Sequence, residues 1–382
     1  MKIAFLTPEY PHTRTGISGG IGTSIKNLAE SLVNLGHSVR ILVYAQKEDA
    51  VFDDGSVVVQ QIRNVKIKGL SWFFTRKKIE KIINELYKNK EIDIVEAPDW
   101  TGITSFMQPE NCPVIIRLNG SDTYFCHLDK RPVKWWNRFH EKRALVKANG
   151  HISVSQFTAD TTNKLFGLAI PFTIIPNGIN VDNFRRDQLI KKEDDTILYF
   201  GTLIRKKGVL ELASIFNSIV EKKPDARLIL VGKDTRDIVS GNNSTWKMMQ
   251  EIFSHNALEQ VEYLGGVSYA EVREYIAKAA VCVFPSFAEA LPVSWLEAMA
   301  MEKAIVASNI GWAQEMIETN KEGYLVDPKS HENFATAIIH LLEDENQNTI
   351  FGSNAMLKVN SVFNNRTIAE KSVIYYQSFL NM

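Results

Sequence analysis

Two doubly wound α/β domains in series, each built on a parallel sheet, are what the sequence predicts. Three observations carry this. Short apolar runs alternate with longer helix-like segments through most of the chain, most of those runs are apolar on consecutive residues, and 382 residues exceed what a single core usually serves. Consecutive apolar residues suit strands covered by helices on both faces, and repeated βα units make neighbouring strands parallel.

The strand candidates of the first half are KIAFLTP, SVRILVYA, VVVQQI, IDIVEAP, PVIIRLNG, HISVSQF and FTIIPNG. Those of the second half are TILYFGTL, ARLILVG, VEYLGGV, VCVFPS, AIVASNI and GYLVDP. Helix-like segments such as GTSIKNLAESLVNLG and AEVREYIAKAA fall between them. The polar, charged and aperiodic stretch 181–195 reads as a linker between domains 1–180 and 196–362. Residues 363–382 end the chain as a helix, with Ile368, Val373, Tyr376 and Leu380 on one face, expected to pack back toward the first domain. Two such domains are expected to face each other across a cleft. In doubly wound sheets ligands bind beyond the carboxyl ends of the strands, so chemistry is sought there.

Composition narrows the function. Hydrophobic residues make up 45% and charged residues 23%, as in soluble globular proteins. Lys plus Arg equals Asp plus Glu at 44 each, which leaves no global charge to attract nucleic acid. Cys112, Cys126 and Cys282 are scattered without metal-ligand spacing and read as buried or half-buried thiols of a reducing compartment. The apolar start breaks at Pro8, too early for a signal peptide, and no run approaches the roughly 18 residues of a membrane span. The expectation is a cytoplasmic protein.

Three clusters follow strand candidates. In GISGGIG, Gly19 and Gly20 precede an amphipathic helix, where backbone N–H groups and the helix dipole favour an anion; a flexible glycine turn is the plain alternative. In FGTLIRKKG, Arg205, Lys206 and Lys207 oppose the dipole of the following helix, a conflict that a polyphosphate ligand resolves; a solvated basic turn is the weaker alternative. In SFAEALPVSWLEAMA, Pro292 suits the first position of a helix, so Glu289 falls in the loop and Glu297 about a turn in. Ala290 and Leu291 there offer backbone N–H groups between two acids, an arrangement suited to a polyol beside an anion. A helix N-terminal acid accounts for Glu289 alone.

The array resembles the family 4 glycosyltransferases, retaining enzymes of GT-B architecture with nucleotide-sugar donors and an E-x7-E pattern, matched by Glu289 and Glu297. GGIG, EKRALVKANGHISVSQFT, IPNGIN, GTLIRKKG and VEYLGGVSYAEV occur in the family's order over nearly the whole chain. The resemblance implies that Glu297 binds the ribose and Glu289 the donor sugar. It places the amides of Ala290, Leu291 and the Pro292 neighbourhood against sugar and diphosphate. Lys207 clamps the diphosphate, Gly20 meets it from the first domain, and the base lies near Val267. Two positions depart from the pattern. Gly201-Thr202 stands where the family has Gly-Arg, so Arg205 is expected as the second phosphate cation. Asn119 replaces a histidine that touches the donor sugar, and it can hydrogen-bond a hydroxyl but carries no proton.

The function so implied is retaining transfer of a hexose from a UDP or GDP donor to a glycan or lipid-linked acceptor, in bacterial surface polysaccharide synthesis. No Asp-x-Asp motif stands at a strand end, so no cofactor or metal is expected. Asp99, Trp100 and His127 are the acceptor candidates; for Asp99 and Trp100 a buried tryptophan with a capping acid explains the pair equally well. The basic, aromatic segment 130–143 suits peripheral contact with an anionic membrane, unless Trp135, Phe139 and Val146 face the core. Other classes remain in view: a dinucleotide-dependent oxidoreductase, a GT-B epimerase or phosphorylase, and a non-catalytic sugar-nucleotide-binding partner. The first leaves the basic loop and Glu297 unexplained.

Overall fold

In the computed structural model, which describes residues 1–16, 18–185 and 189–380, the chain divides into two compact units. Unit 1 comprises residues 1–180 and 363–382, and unit 2 residues 181–362. The strands of unit 1 are β1 (Lys2–Thr7), β2 (Ser38–Gln46), β3 (Ala50–Asp54), β4 (Val57–Arg63), β5 (Ile94–Pro98), β6 (Val114–Leu118), β7 (Gly150–Ser153) and β8 (Thr173–Ile174). They form one sheet in the order β3-β4-β2-β1-β5-β6-β7-β8. All seven predicted strands are present. The eighth, β3, pairs antiparallel with β4, so this sheet is not wholly parallel as expected. It escaped the apolar-run criterion because Ala50–Asp54 is an alternating, half-exposed edge strand, turned into β4 at Gly55 with φ of 61°.

Unit 2 carries β9 (Thr196–Phe200), β10 (Arg227–Val231), β11 (Val261–Gly265), β12 (Val281–Phe284), β13 (Ile305–Ser308) and β14 (Gly323–Val326), in the order β11-β10-β9-β12-β13-β14. Every pairing in it is parallel. The consecutive apolar residues of β9 and β12 are buried throughout, as two-sided coverage requires. Strand order reverses between β1 and β5 in unit 1 and between β9 and β12 in unit 2. At such points the two following loops diverge and open a crevice for a ligand.

The stretch predicted as a linker, 181–195, is part of unit 2. Val181–Phe184 forms a 3-10 turn whose Phe184 is buried, its ring edge-on to Tyr269 at 5.5 Å. Glu193 N–H donates to Lys278 O. Residues 186–188 of that stretch lie outside the described residues, as do Ile17 of the glycine loop and the last two residues of the chain.

The predicted terminal helix runs over Asn365–Gln377, after a π-turn at Val359–Phe363, and belongs to unit 1. Ile368, Ala369 and Tyr376 join the core formed by Ile3, Phe5 and Ile115, and Leu380 packs at its edge. A buried polar network fastens this helix to the sheet centre. Arg117 of β6 pairs bidentately with Glu96 of β5 at 2.8 and 3.0 Å. Arg117 also donates to Ser372 Oγ at 3.2 Å and to Ile175 O at 3.0 Å, while Tyr376 OH donates to Glu96. Arg117 and Glu96 are both 4% exposed, so each depends on the other for its counter-charge.

Arg117→Leu leaves Glu96 buried without its cation and is expected to destabilise unit 1 by about 3 to 5 kcal/mol. Tyr376→Phe removes one donor and is expected to cost about 1 to 3 kcal/mol. Denaturant unfolding followed by probes in each unit measures both, and wild-type stability in Arg117→Leu would contradict this role for the network.

Candidate functional site

The loops that leave β9 and β12 are tied together by their backbones. Beyond β9, Gly201 and the exposed Thr202 lead into a 3-10 turn at Arg205–Lys207, closed by Gly208. Gly208 has φ of +69°, and a Cβ there would stand 1.8 Å from Pro285 O, so a side chain would drive the β9 and β12 loops apart. Lys206 O accepts hydrogen bonds from Phe287 N–H at 2.8 Å and Ala288 N–H at 3.3 Å. This clasp sets Lys207 against Glu289, and the two form an ion pair. Glu289 is 8% exposed. SFAEALPVSWLEAMA holds no Lys or Arg, and the counter-charge of this carboxylate comes from the neighbouring strand's loop.

Pro292 is the N-cap of the helix Val293–Ala300, one residue before the first helical position predicted for it, with φ −71° and ψ 121°. Ala290 and Leu291 before it are buried. Glu297 lies in the second turn of this helix and is 7% exposed. Burial pushes its carboxyl up to about 7, opposed by a hydrogen bond from Tyr269 and by attraction to Lys207. The Tyr269 hydroxyl donates to Glu297 Oε1 at 2.6 Å.

Tyr269 was not anticipated from the sequence. It opens the helix Tyr269–Lys278, whose start is fixed by a capping box between Ser268 and Glu271. That Ser-x-x-Glu signal was readable in GVSYAEV, although the partner of Tyr269 was not. The half-buried Val267 precedes the same helix, so the residue expected near the base and the acid expected at the ribose are linked through Tyr269.

Arg205, expected as a second phosphate cation, is held by Asp237. Its Nε and Nη2 donate to the two carboxylate oxygens at 2.9 and 2.8 Å. Asp237 is 1% exposed and also accepts from Ser240 N–H and Oγ; the Arg205 guanidinium keeps its carboxyl well below the usual range. Part of the Arg205 charge is therefore spent inside the protein, a partner invisible in the basic loop itself.

In unit 1, Gly19 is the N-cap and Gly20 the first residue of the helix Gly20–Asn34, and both are exposed. A second unanticipated acid stands here: Glu9 Oε1 accepts from Gly22 N–H at 3.1 Å, so a carboxylate already uses the positive end of this helix. A Cβ on Gly19 would lie 3.2 Å from the same oxygen.

Asp99 is 2% exposed, with its carboxyl raised to about 7 by burial, and it accepts from Asn119 N–H at 2.9 Å. Its side chain does not cap the turn Trp100–Gly102 that follows; it holds instead the turn that carries the half-buried Asn119. Burial takes it out of direct reach of an acceptor. Trp100 beside it is half-buried, its ring 6.5 Å from that of Phe125. His127 is exposed in the last turn of the helix Asp122–Leu128. Glu141, 1% exposed, accepts from Asp122 N–H and Thr123 N–H at the start of that helix, and burial raises its carboxyl to about 7. Within unit 2 the structure therefore joins Lys207 to Glu289 and Glu297 to the Val267 loop. Within unit 1 it joins Asp99 to Asn119.

Two family models match the chain: that of "Glycosyltransferase Family 4" over residues 18–183, and that of "Glycosyl transferases group 1" over residues 180–358. An uncharacterized glycosyltransferase of Methanocaldococcus jannaschii is 25% identical, the match covering 100% of this chain and 99% of that one. A GDP-mannose-dependent alpha-(1-6)-phosphatidylinositol monomannoside mannosyltransferase of Mycobacterium tuberculosis is 24% identical over 97% of this chain and 96% of its own. Among solved structures, the sucrose-phosphate synthase of Thermosynechococcus elongatus superposes with a TM-score of 0.80 at 20% identity, covering both chains fully. The Anabaena protein HepE in complex with UDP and glucose does so with a TM-score of 0.75 at 20% identity, over 99% of this chain and 100% of that one. With paired parallel-sheet units, matching family models from residue 18 to residue 358 and relatives matched over nearly their whole length, the chain belongs to the family 4 glycosyltransferases and has their GT-B fold.

Proposed function

We propose that the protein moves a hexose from a UDP- or GDP-sugar to a glycan or lipid-linked acceptor, with retention at the anomeric carbon, in bacterial surface polysaccharide synthesis. The observation that carries this is the Lys207–Glu289 pair at the strand-order reversal of unit 2. A cation and a buried acid there give a diphosphate and a sugar hydroxyl each a partner. A relative acts on phosphatidylinositol monomannoside with GDP-mannose, and a structural neighbour is seen with UDP and glucose, which supports a nucleotide-sugar donor. In this reading the enzyme works in the cytoplasm, as a peripheral protein at the inner membrane face.

As the sugar–phosphate bond breaks, negative charge builds on the departing diphosphate. Lys207 stabilises it, with the share of Arg205 charge not taken up by Asp237. Glu289 moves from Lys207 to the sugar hydroxyls and orients the oxocarbenium-like ring. Asn119 contributes a hydrogen bond but no proton. The acceptor attacks on the face that the leaving group vacates, and the phosphate takes its proton, so no protein nucleophile is required. Glu297 accepts hydrogen bonds from the ribose, which favour its ionised form.

Lys207→Ala is expected to lower kcat by on the order of 100-fold or more. It also leaves Glu289 buried without its cation, so the double variant Lys207→Ala/Glu289→Gln should recover thermal stability but not turnover. Wild-type rates in either single variant, Lys207→Ala or Glu289→Gln, would rule out these roles. Tight donor binding without turnover on any acceptor would instead favour a sugar-nucleotide sensor.

Metal independence is a second expectation, since protein cations and amides meet the diphosphate. Turnover should survive excess chelator, and loss that a divalent ion restores would overturn it.

The third expectation concerns pH. A carboxyl raised to about 7 in the fold from its ordinary 4.5 binds protons more tightly folded than unfolded. Glu297 therefore costs stability progressively as pH rises from about 4.5 through 7. At pH 8, without added nucleotide, Glu297→Gln should stabilise unit 2 by on the order of 2 kcal/mol, with the gain vanishing near pH 4. The same variant should weaken nucleotide binding at pH 8, read from the ligand-induced rise in Tm. An unchanged melting profile across this range would contradict the raised carboxyl.

A further inference from the structure

Unit 1 presents an aromatic and cationic surface that the donor chemistry does not use. Trp135, Phe139 and Val146 do not face the core, as the alternative reading of this segment had them: they are 68%, 38% and 55% exposed. They sit on the helix Trp135–Lys147, whose inward face is taken by His140, Glu141, Ala144 and Leu145. A second segment, not singled out in the sequence, completes the surface. The helix Ser71–Lys88 begins with Trp72, Phe73 and Phe74, and just before it Ile67 and Leu70 are 41% and 49% exposed. The rings of the two segments touch: Trp72 is edge-on to Trp136 at 5.4 Å, and Phe106 bridges Phe73 at 6.3 Å and Phe139 at 6.2 Å. His140 lies beneath, 2% exposed, with Nδ1 2.9 Å from Ser105 Oγ.

Charge identifies the partner. Residues 64–79 hold five Lys and Arg and no acid, and residues 130–143 hold six and a single acid, Glu141. Glu141 is turned inward onto the helix start at Asp122 and Thr123. Arg76 is also turned inward, onto Ile103 O and Gly102 O, while Lys77, Lys78 and Arg131 pair with acids outside the two segments. Lys66, Lys68, Lys130, Lys134 and Lys142 are exposed and enter no ion pair among the described residues. This local excess stands out in a chain of zero formal net charge. Two copies of so cationic a face repel one another, which disfavours self-association.

We infer that this composite surface, the starts of helices Ser71–Lys88 and Trp135–Lys147, docks the enzyme on an anionic lipid bilayer. Trp and Phe rings enter the headgroup boundary, Ile67 and Leu70 bury beside them, and the lysines meet lipid phosphates. No helix of the described residues is long and apolar enough to cross a membrane, so the contact is peripheral. The inference rests on the proposed membrane-borne acceptor for its purpose, not for its measurement.

The test is co-sedimentation of the full chain with vesicles of phosphatidylcholine containing about one third phosphatidylglycerol, and of phosphatidylcholine alone, at about 50 mM and about 500 mM salt. Binding is expected on the anionic vesicles at low salt, with a blue shift of tryptophan emission, and should fall at high salt and on neutral vesicles. Leu70→Ser/Trp135→Ser/Trp136→Ser and, separately, Lys130→Glu/Lys134→Glu should each reduce partitioning at least about tenfold. Both variants alter exposed side chains, so their melting temperatures and their Tm shifts with nucleotide-sugars should match wild type. Failure to bind anionic vesicles at low salt, or wild-type binding by both variants, would overturn the proposal. So would a dimer in solution that the serine variant dissociates, which would give the face to a second copy. A protein that binds vesicles but turns over no nucleotide-sugar refutes the transferase reading and leaves this one standing.

Discussion

Unit 2 of this protein depends on one clasp: Lys206 O receiving the N–H groups of Phe287 and Ala288, with Gly208 letting the two loops close. Parallel strands β9 and β12 end at the same sheet edge, where strand order reverses. The clasp converts that coincidence of topology into a fixed pairing of Lys207 with Glu289. Without it, Glu289 would be a nearly buried carboxylate lacking a cation, a costly state. The pair is polar, partly accessible and made of groups that prefer a diphosphate and a sugar respectively. Its stabilising role and its proposed chemical role are the same interaction.

Two groups of buried acids contrast with one another. Glu96 and Asp237 each receive a bidentate arginine. They fasten structure, one between the central strands and the terminal helix, the other within the loops beyond β9 and β10. Glu297, Asp99 and Glu141 receive hydroxyl or backbone donors instead, and burial raises all three toward neutrality. A bidentate guanidinium supplies charge as well as hydrogen bonds, whereas a tyrosine or an amide supplies hydrogen bonds alone. Glu297 is the one of these three proposed to meet a ribose, whose hydroxyl donors would complete its surroundings.

Much of the fold was legible because it depends on local pattern. The thirteen strand candidates are all strands, since consecutive apolar residues have few other homes in an α/β chain. β3 was missed because an alternating edge strand ending in Asp-Asp-Gly resembles a turn-rich loop. The terminal helix was readable from its spacing, but its anchor was not: Arg117, Glu96 and Tyr376 meet only when β5, β6 and that helix are assembled. In the candidate site, the E-x7-E acids and Lys207 were readable. Tyr269, Asp237 and Glu9 were not, because each acts through a partner on another segment.

By itself, the sequence determined the two parallel-sheet units, the loops that bear Lys207, Glu289 and Glu297, and the family to which those motifs belong. These follow from hydrophobic period, helix-start signals and motif order, all of which are short-range. Tertiary structure alone decided which charges neutralise one another: Lys207 with Glu289, Arg205 with Asp237, Glu9 with the helix start at Gly22. It also decided that Trp135 and Phe139 face outward, with Trp136 against Trp72 and Phe139 against Phe106. The physical reason is that ion pairing and burial act through space, over a few ångströms, between groups that the chain separates by tens of residues.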